Sequence, residues 1–308
     1  MTKPLTPSRR AFLAWAGSSV TLMLAGCGGD SVVSHLNPQR FLIVGDGFCD
    51  QGQTGSLPTV NDGSQTWLQL MATYYSSVAP VLPVIQGGTA WAQANAFIAS
   101  ADTVSGANAP SVQTQISQML AATTITNNDL VFINGGMADI VQAVTQTGIS
   151  PATTTAVQLA ATALGGLVRQ LTQNGGTHVV VTGVYDLSIS PWAASTGLNT
   201  SDISKLTTAF NDQLLINIAD LASTVLYLDA ALFYNLVSNS SDNYSISNTT
   251  TPVCTTPTAL TCSTSTLIDA NYNAYLFADN LNFTPAAQRM FGDENYGSNG
   301  YQRLIDRW

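Results

Sequence analysis

The stretch that most constrains this 308-residue chain is Phe41-Leu42-Ile43-Val44-Gly45-Asp46-Gly47-Phe48-Cys49-Asp50-Gln51-Gly52. Four consecutive apolar residues show neither a helical nor an alternating period, so both faces of the segment need cover. Such a run fits a strand buried within a parallel sheet. The Gly-Asp-Gly that ends it is turn chemistry. A strand passing into a polar loop in this way delivers side chains to the carboxyl edge of an α/β sheet, where such folds place their ligands.

Three more runs follow the same pattern: Asp129–Asn134, His178–Thr182 feeding Gly183, and Val225–Leu228 ending at Asp229. Between them lie segments with helical spacing. These are Gln65–Tyr75, Gln113–Ala122, Thr153–Gln173 with a Gly175-Gly176 stop, Ser201–Ala222 with Asp202 near its positive end, and a last helix from Pro285. A Pro/Gly stretch, Pro80 to Gly88, leads into Thr89–Ala99. The alternation predicts one three-layer α/β/α domain over residues 40–308, with a parallel sheet covered on both faces, no internal repeat and no second hydrophobic core.

Only 9% of the residues are charged, against 45% apolar, so the surface must be built of Ser, Thr, Asn and Gln, as is common in exported bacterial proteins. All eighteen acidic residues lie after residue 27, with six basic ones, a net charge of −12. Such a surface repels phosphate backbones and anionic lipid heads, which disfavours a nucleic-acid partner. Residues 1–27 read as an address. Ser8-Arg9-Arg10-Ala11-Phe12-Leu13 resembles a twin-arginine export signal, and an apolar run follows to Leu24. Leu24-Ala25-Gly26-Cys27 resembles a lipobox, whose cleavage leaves Cys27 to be diacylated and so held on a bilayer. An uncleaved anchor is the alternative. Gly28 and Gly29 follow the cysteine with no Asp next to it, which in lipoprotein terms favours the outer membrane, and residues 28–39 form a polar tether. In an oxidising compartment Cys254 and Cys262 are expected to pair, closing a small Thr/Pro-rich loop. Cys49 is left over, either a small buried residue or a reactive thiol.

Several blocks, in order, resemble the GDSL (SGNH) family of ester hydrolases. Gly45-Asp46, Asp50 and Gly52 match its first block, and Gly87-Gly88-Thr89-Ala90-Trp91-Ala92 resembles the approach to its second. Leu130–Asp139 resembles the third, Val181–Pro191 the stretch closing the next strand, and Phe210-Asn211 a recurrent helix pair. Tyr275–Thr284 resembles the fifth block. The resemblance implies a flavodoxin-like sheet, no cofactor and no metal. It also implies a Ser nucleophile, a His base oriented by an Asp, and an oxyanion site built from two backbone N–H groups and an Asn. In this chain the Ser position is Gly47, the His position is Asn282 and the Asn position is Ala138. The second-block N–H falls on Ala94, in a block loose enough to slip by one. Only Asp279 of the triad is retained.

A chain with Gly47 has no hydroxyl to acylate, and the amide of Asn282 cannot accept a proton. The two histidines offer no substitute: His35 is in the tether, and His178 precedes a strand and so sits at the opposite, amino edge. The carboxylates Asp46, Asp50, Asp139 and Asp279 are read either as loop-holding groups or as the lining of a polar cleft for a cation or a sugar hydroxyl. Trp91, Trp192 and Tyr185 are read either as core or as walls of a sugar or acyl cleft. The leading expectation is a pseudo-esterase that binds a small molecule, glycan, lipid or envelope partner. The alternative is an active ester hydrolase using Cys49 or a water held by Asp279. A third reading is a purely structural envelope lipoprotein.

Overall fold

The computed structural model describes residues 36–103, 105–293 and 300–308, without the side chains of 301, 302 and 306. The chain divides into two units, Met1–Ser34, which lies outside the described residues, and His35–Trp308. The expected signal segment and Cys27 are therefore also outside them.

Within the second unit the order is β1 (Arg40–Val44), α1 (Trp67–Thr73), α2 (Val112–Ala122), β2 (Asp129–Ile133), α3 (Met137–Thr147) and α4 (Pro151–Gln173). It continues with β3 (Val179–Thr182), α5 (Pro191–Ser195), α6 (Thr200–Ile218), β4 (Val225–Leu228), α7 (Ala230–Asn239), α8 (Pro285–Gly292) and α9 (Gly300–Arg307). The strands form a parallel sheet in the order β1-β2-β3-β4. On the free side of β1 the segment Thr89–Trp91 adds a short parallel bridge, with Trp91 N donating to Ile43 O at 2.7 Å and Ile43 N to Thr89 O at 3.0 Å. That gives the flavodoxin-like arrangement, its second strand reduced to a few residues. All four strands fall where their apolar runs lie in the sequence, and helices flank the sheet. Among the described residues no helix is long and apolar enough to cross a membrane.

The helices start where capping chemistry permits. Thr66 and Gln69 form a reciprocal capping box at α1, with Gln69 N donating to Thr66 Oγ1 at 3.2 Å and Thr66 N to Gln69 Oε1 at 3.0 Å. Ser150 caps α4, and Pro151 occupies its first position, where the missing N–H costs nothing. This explains a start two residues ahead of the expected Thr153. Four helices, α3, α5, α7 and α9, go beyond the sequence reading. In α3, Met137, Ile140, Val141 and Val144 recur at helical spacing; α7 buries Phe233, Tyr234 and Val237. The expectation of a single core also needs correction. A satellite cluster of Val60, Val253, Cys254, Ala259, Cys262 and Ala278 packs around the disulfide. Its members are single apolar residues spread over more than 200 positions, so no periodic run announces them.

Candidate functional site at the carboxyl edge

Positions 47 and 282 meet. They are 235 residues apart in the chain, yet a Cβ placed on Gly47 would lie 3.1 Å from Asn282 Oδ1 and 3.7 Å from Ala94 Cα. The flanking residues explain the meeting. Phe48 and Phe283 both anchor in one aromatic cluster, their centroids 6.2 Å apart, with Phe283 stacked on Tyr234 at 3.8 Å and Phe48 on Trp67 at 5.4 Å. Phe277 pairs antiparallel with Phe283, and Ala278 N donates to Asn282 O at 2.7 Å, which closes the turn holding Asp279–Asn282.

Within that turn Asp279 is a hub. It accepts from Asn282 N at 2.7 Å, Leu281 N at 2.8 Å and Ala259 N at 2.7 Å. It also accepts from Asn282 Nδ2, at 3.1 Å to one carboxylate oxygen and 2.9 Å to the other. An ionised carboxylate only accepts, so it fixes the amide with Nδ2 inward and Oδ1 toward Gly47. That Oδ1 accepts no hydrogen bond among the described residues. Ala259 lies inside the loop closed by the Cys254–Cys262 disulfide, whose Cα atoms are 5.8 Å apart.

The second block, expected at Ala94 with room to slip by one, uses its N–H groups unequally. The Ala94 N–H, expected to face a bound group, instead donates to Asp50 Oδ2 at 2.8 Å, while Asp50 Oδ1 accepts from Gly52 N and Gln53 N. The N–H of Asn95 makes no hydrogen bond among the described residues, nor does that of Gly47. Asn95 holds φ +68°, a left-handed conformation few residues other than glycine adopt readily. The N–H groups of Gly47 and Asn95 are thus left without an intramolecular acceptor among the described residues, while that of Ala94 is taken. A one-residue bond inside a loop leaves no trace in sequence pattern.

The carboxylates gather here with no cation paired to them among the described residues. Asp46 accepts from Phe48 N at 3.1 Å and from Asn134 Nδ2. Burial pushes its pKa up, while hydrogen bonds from Phe48, Asn134 and Met137 pull the other way. Burial likewise raises Asp50 to about 6, opposed by its three N–H donors and aided by the charge of Asp46. Asp139, in the first turn of α3, is raised to about 6 by burial and the Asp46 charge, although Ile98 N donates to it at 3.2 Å. Among the described residues no group of three or more His, Cys, Asp or Glu is arranged to hold a metal.

Cys49 is fully buried, its thiol pushed well above the ordinary range by burial and then by Asp46 and Asp50. Trp91 and Tyr185 are core residues, the Tyr185 hydroxyl donating to Leu281 O at 2.7 Å, and Trp192 is half-buried against the same core. His178 lies at the amino edge, edge-on to Trp308 at 5.0 Å. His35 is outside the described residues.

A cleft of about 220 Å³ adjoins the Gly47–Asn282 contact, lined among others by Asp46, Asn95, Ala138, Val141 and Leu281. The α3 wall is missing from the sequence reading, which gives residues 136–139 only as part of the third block and no helix after them. A wider hollow of about 740 Å³ lies along α6 and touches none of these positions.

The model of the GDSL-like lipase/acylhydrolase family matches residues 29–295. The chain belongs to that family. Solved structures similar to this GDSL-like chain include an extracellular lipase from Streptomyces rimosus, at 12% identity and TM-score 0.47, covering 87% of this chain and 98% of that one. A phospholipase A1 from Streptomyces albidoflavus NA297 has 17% identity and TM-score 0.45, with coverage of 87% and 98%. The native aryl esterase of M. smegmatis has 15% identity and TM-score 0.44, with coverage of 82% and 93%. No curated protein matches the chain.

Proposed function

We propose that this member of the GDSL-like family is a pseudo-esterase, which binds a ligand in the cleft beside Gly47 and does not hydrolyse it. The observation carrying this reading is the juxtaposition of position 47, a glycine, with the side-chain amide of Asn282, since a side chain begun at 47 would start 3.1 Å from Asn282 Oδ1. Gly47 has no positive φ and is not needed by the backbone there. Gly136 differs: its φ is +116°, and a Cβ on it would collide with the Phe210 ring. The backbone at 47 thus does not require glycine, the one close neighbour of a side chain there would be the Asn282 amide, and the chain places no nucleophile at it.

The chemistry follows from the atoms present. An amide clamped by Asp279 cannot take a proton from water or from a hydroxyl, and Ala138 offers a methyl where an oxyanion needs a donor. Loss of nucleophile and base costs on the order of 10⁶-fold in a serine hydrolase, and a lost side-chain donor costs roughly 3 kcal/mol more. The hydrolase alternative through Cys49 lacks support: a thiol that is buried, beside two carboxylates and without a histidine is a poor nucleophile. We further propose that Cys27 carries lipid and holds the protein in the cell envelope; Cys27→Ser should then move it to the soluble fraction.

The deciding assay is hydrolysis of short p-nitrophenyl esters by the purified protein. The expected rate equals that of buffer. Turnover above that level, abolished in Cys49→Ala or Asp279→Asn, would sink the reading.

A further inference from the structure

Three polar groups around Gly47 lack partners within the described residues: the N–H of Gly47, the N–H of Asn95 and Oδ1 of Asn282. Two are donors and one is an acceptor. All belong to the Gly47/Ala94/Asn282 contact or to a residue next to it, and Asn95 lines the adjoining cleft. The cleft that Asn95 lines is mainly apolar. Its volume of about 220 Å³ exceeds the roughly 150 Å³ of an apolar cavity that holds benzene.

The charged groups in its lining are Asp46 and Asp102, the latter already taking the Ser105 N–H at 2.9 Å and the Ser105 hydroxyl. Among the described residues no lysine, arginine or histidine lines it, and Arg40, Arg169 and Lys205 are held in ion pairs with Asp129, Asp220 and Asp202. A carboxylate ligand would meet like charge. An alkylammonium would suit the acidic lining but leave both N–H groups unpaired, and an ester would leave the Asn282 acceptor unpaired. Unpaired polar groups in a desolvated contact are costly. A carboxamide satisfies all three, its C=O accepting from the backbone N–H groups and its N–H donating to Asn282 Oδ1.

We propose that the cleft beside Gly47 recognises an apolar compound bearing a carboxamide, selected over the matching ester by Asn282 Oδ1. The inference rests on the binding reading above and gives it a ligand class. Asp279 acts as a positioning residue, since its carboxylate fixes which end of the Asn282 amide faces the ligand.

The test is calorimetric titration of the full-length protein with hexanamide, methyl hexanoate, hexanoate and hexylammonium at pH 7. Hexanamide should bind at least tenfold more tightly than each of the others. Asn282→Leu should remove the preference by weakening the amide about tenfold and leaving the ester unchanged. Val141→Phe, which fills the cleft, should abolish binding; binding that survives it would be surface adsorption and would overturn the proposal. Equal or tighter binding of the ester, the acid or the amine would overturn it too, as would no binding by any of the four. The wild-type series alone suffices if a variant fails to fold. Release of hexanoate from methyl hexanoate, followed in the same samples, would instead defeat the pseudo-esterase reading.

Discussion

The two edges of the sheet treat charge in opposite ways. At the amino edge, Arg40 and Asp129 face each other in register on β1 and β2. The guanidinium grips the carboxylate with two bonds, Nε at 2.6 Å and Nη2 at 2.9 Å, while Thr126 N donates at 2.7 Å. Burial favours the neutral acid at Asp129, but those bonds outweigh it and its pKa falls below the usual carboxylate value. At the carboxyl edge, Asp46, Asp50 and Asp139 have backbone or amide donors and, among the described residues, no paired cation, and burial wins. One edge is organised for stability; the other carries uncompensated negative charge that the fold must offset elsewhere.

The sharpest way to break this contrast is to remove one partner at each edge. Asp129→Ala strands the Arg40 guanidinium and should cost roughly 3 kcal/mol in denaturant unfolding. Asp139→Asn removes a poorly compensated charge and should raise stability at pH 7. If both variants destabilise equally, the edges are not different in kind.

The second effect is in pH. Asp50 and Asp139 bind protons more tightly in the folded than in the unfolded chain, whose carboxylates titrate near 3.8. The folded state therefore holds more protons between about 4 and 6, so stability should rise as pH falls from 7 through 6 toward 4. A two-unit shift at a fully buried group corresponds to roughly 3 kcal/mol, less at the partly exposed Asp139. Below about 4 the sign reverses, because Asp129 loses the stability its lowered pKa provides. Melting temperatures from pH 4 to 7 test this, and the slope should flatten in Asp139→Asn.

The smallest effect sharpens the comparison within the carboxyl edge itself. Gly47→Ser should change stability by less than about 1 kcal/mol, since the backbone tolerates a side chain and the one close neighbour is Asn282 Oδ1. Chemical denaturation checks it, with Gly136→Ala as the severely destabilised reference.

Much of the frame was legible in the sequence because its signals are local. Apolar runs ending in Gly, Asp or Asn mark all four strands, and Pro285 marks a helix start. The α3 helix was hidden by its place: Met137–Asp139 reads as part of the third block, and the apolar spacing through Val144 emerges only once that block is allowed to run into helix. The site was legible only through family resemblance. Nothing local pairs Gly47 with Asn282, hands the Ala94 N–H to Asp50 or hangs Ala259 on Asp279, since these are bonds between segments far apart in the chain. The lack of a balancing cation was foreshadowed by six basic residues against eighteen acidic ones, though not its concentration at one edge.

The proposal at stake is a hydrolase frame that persists while its reacting atoms have been replaced. Its most direct test is the triple variant Gly47→Ser/Ala138→Asn/Asn282→His, assayed beside the wild type on p-nitrophenyl butyrate. The account predicts a silent wild type and measurable turnover in the variant, lost again when Asp279 is changed to Asn. A wild type that already hydrolyses the ester, or a folded triple variant as silent as its parent, would contradict it.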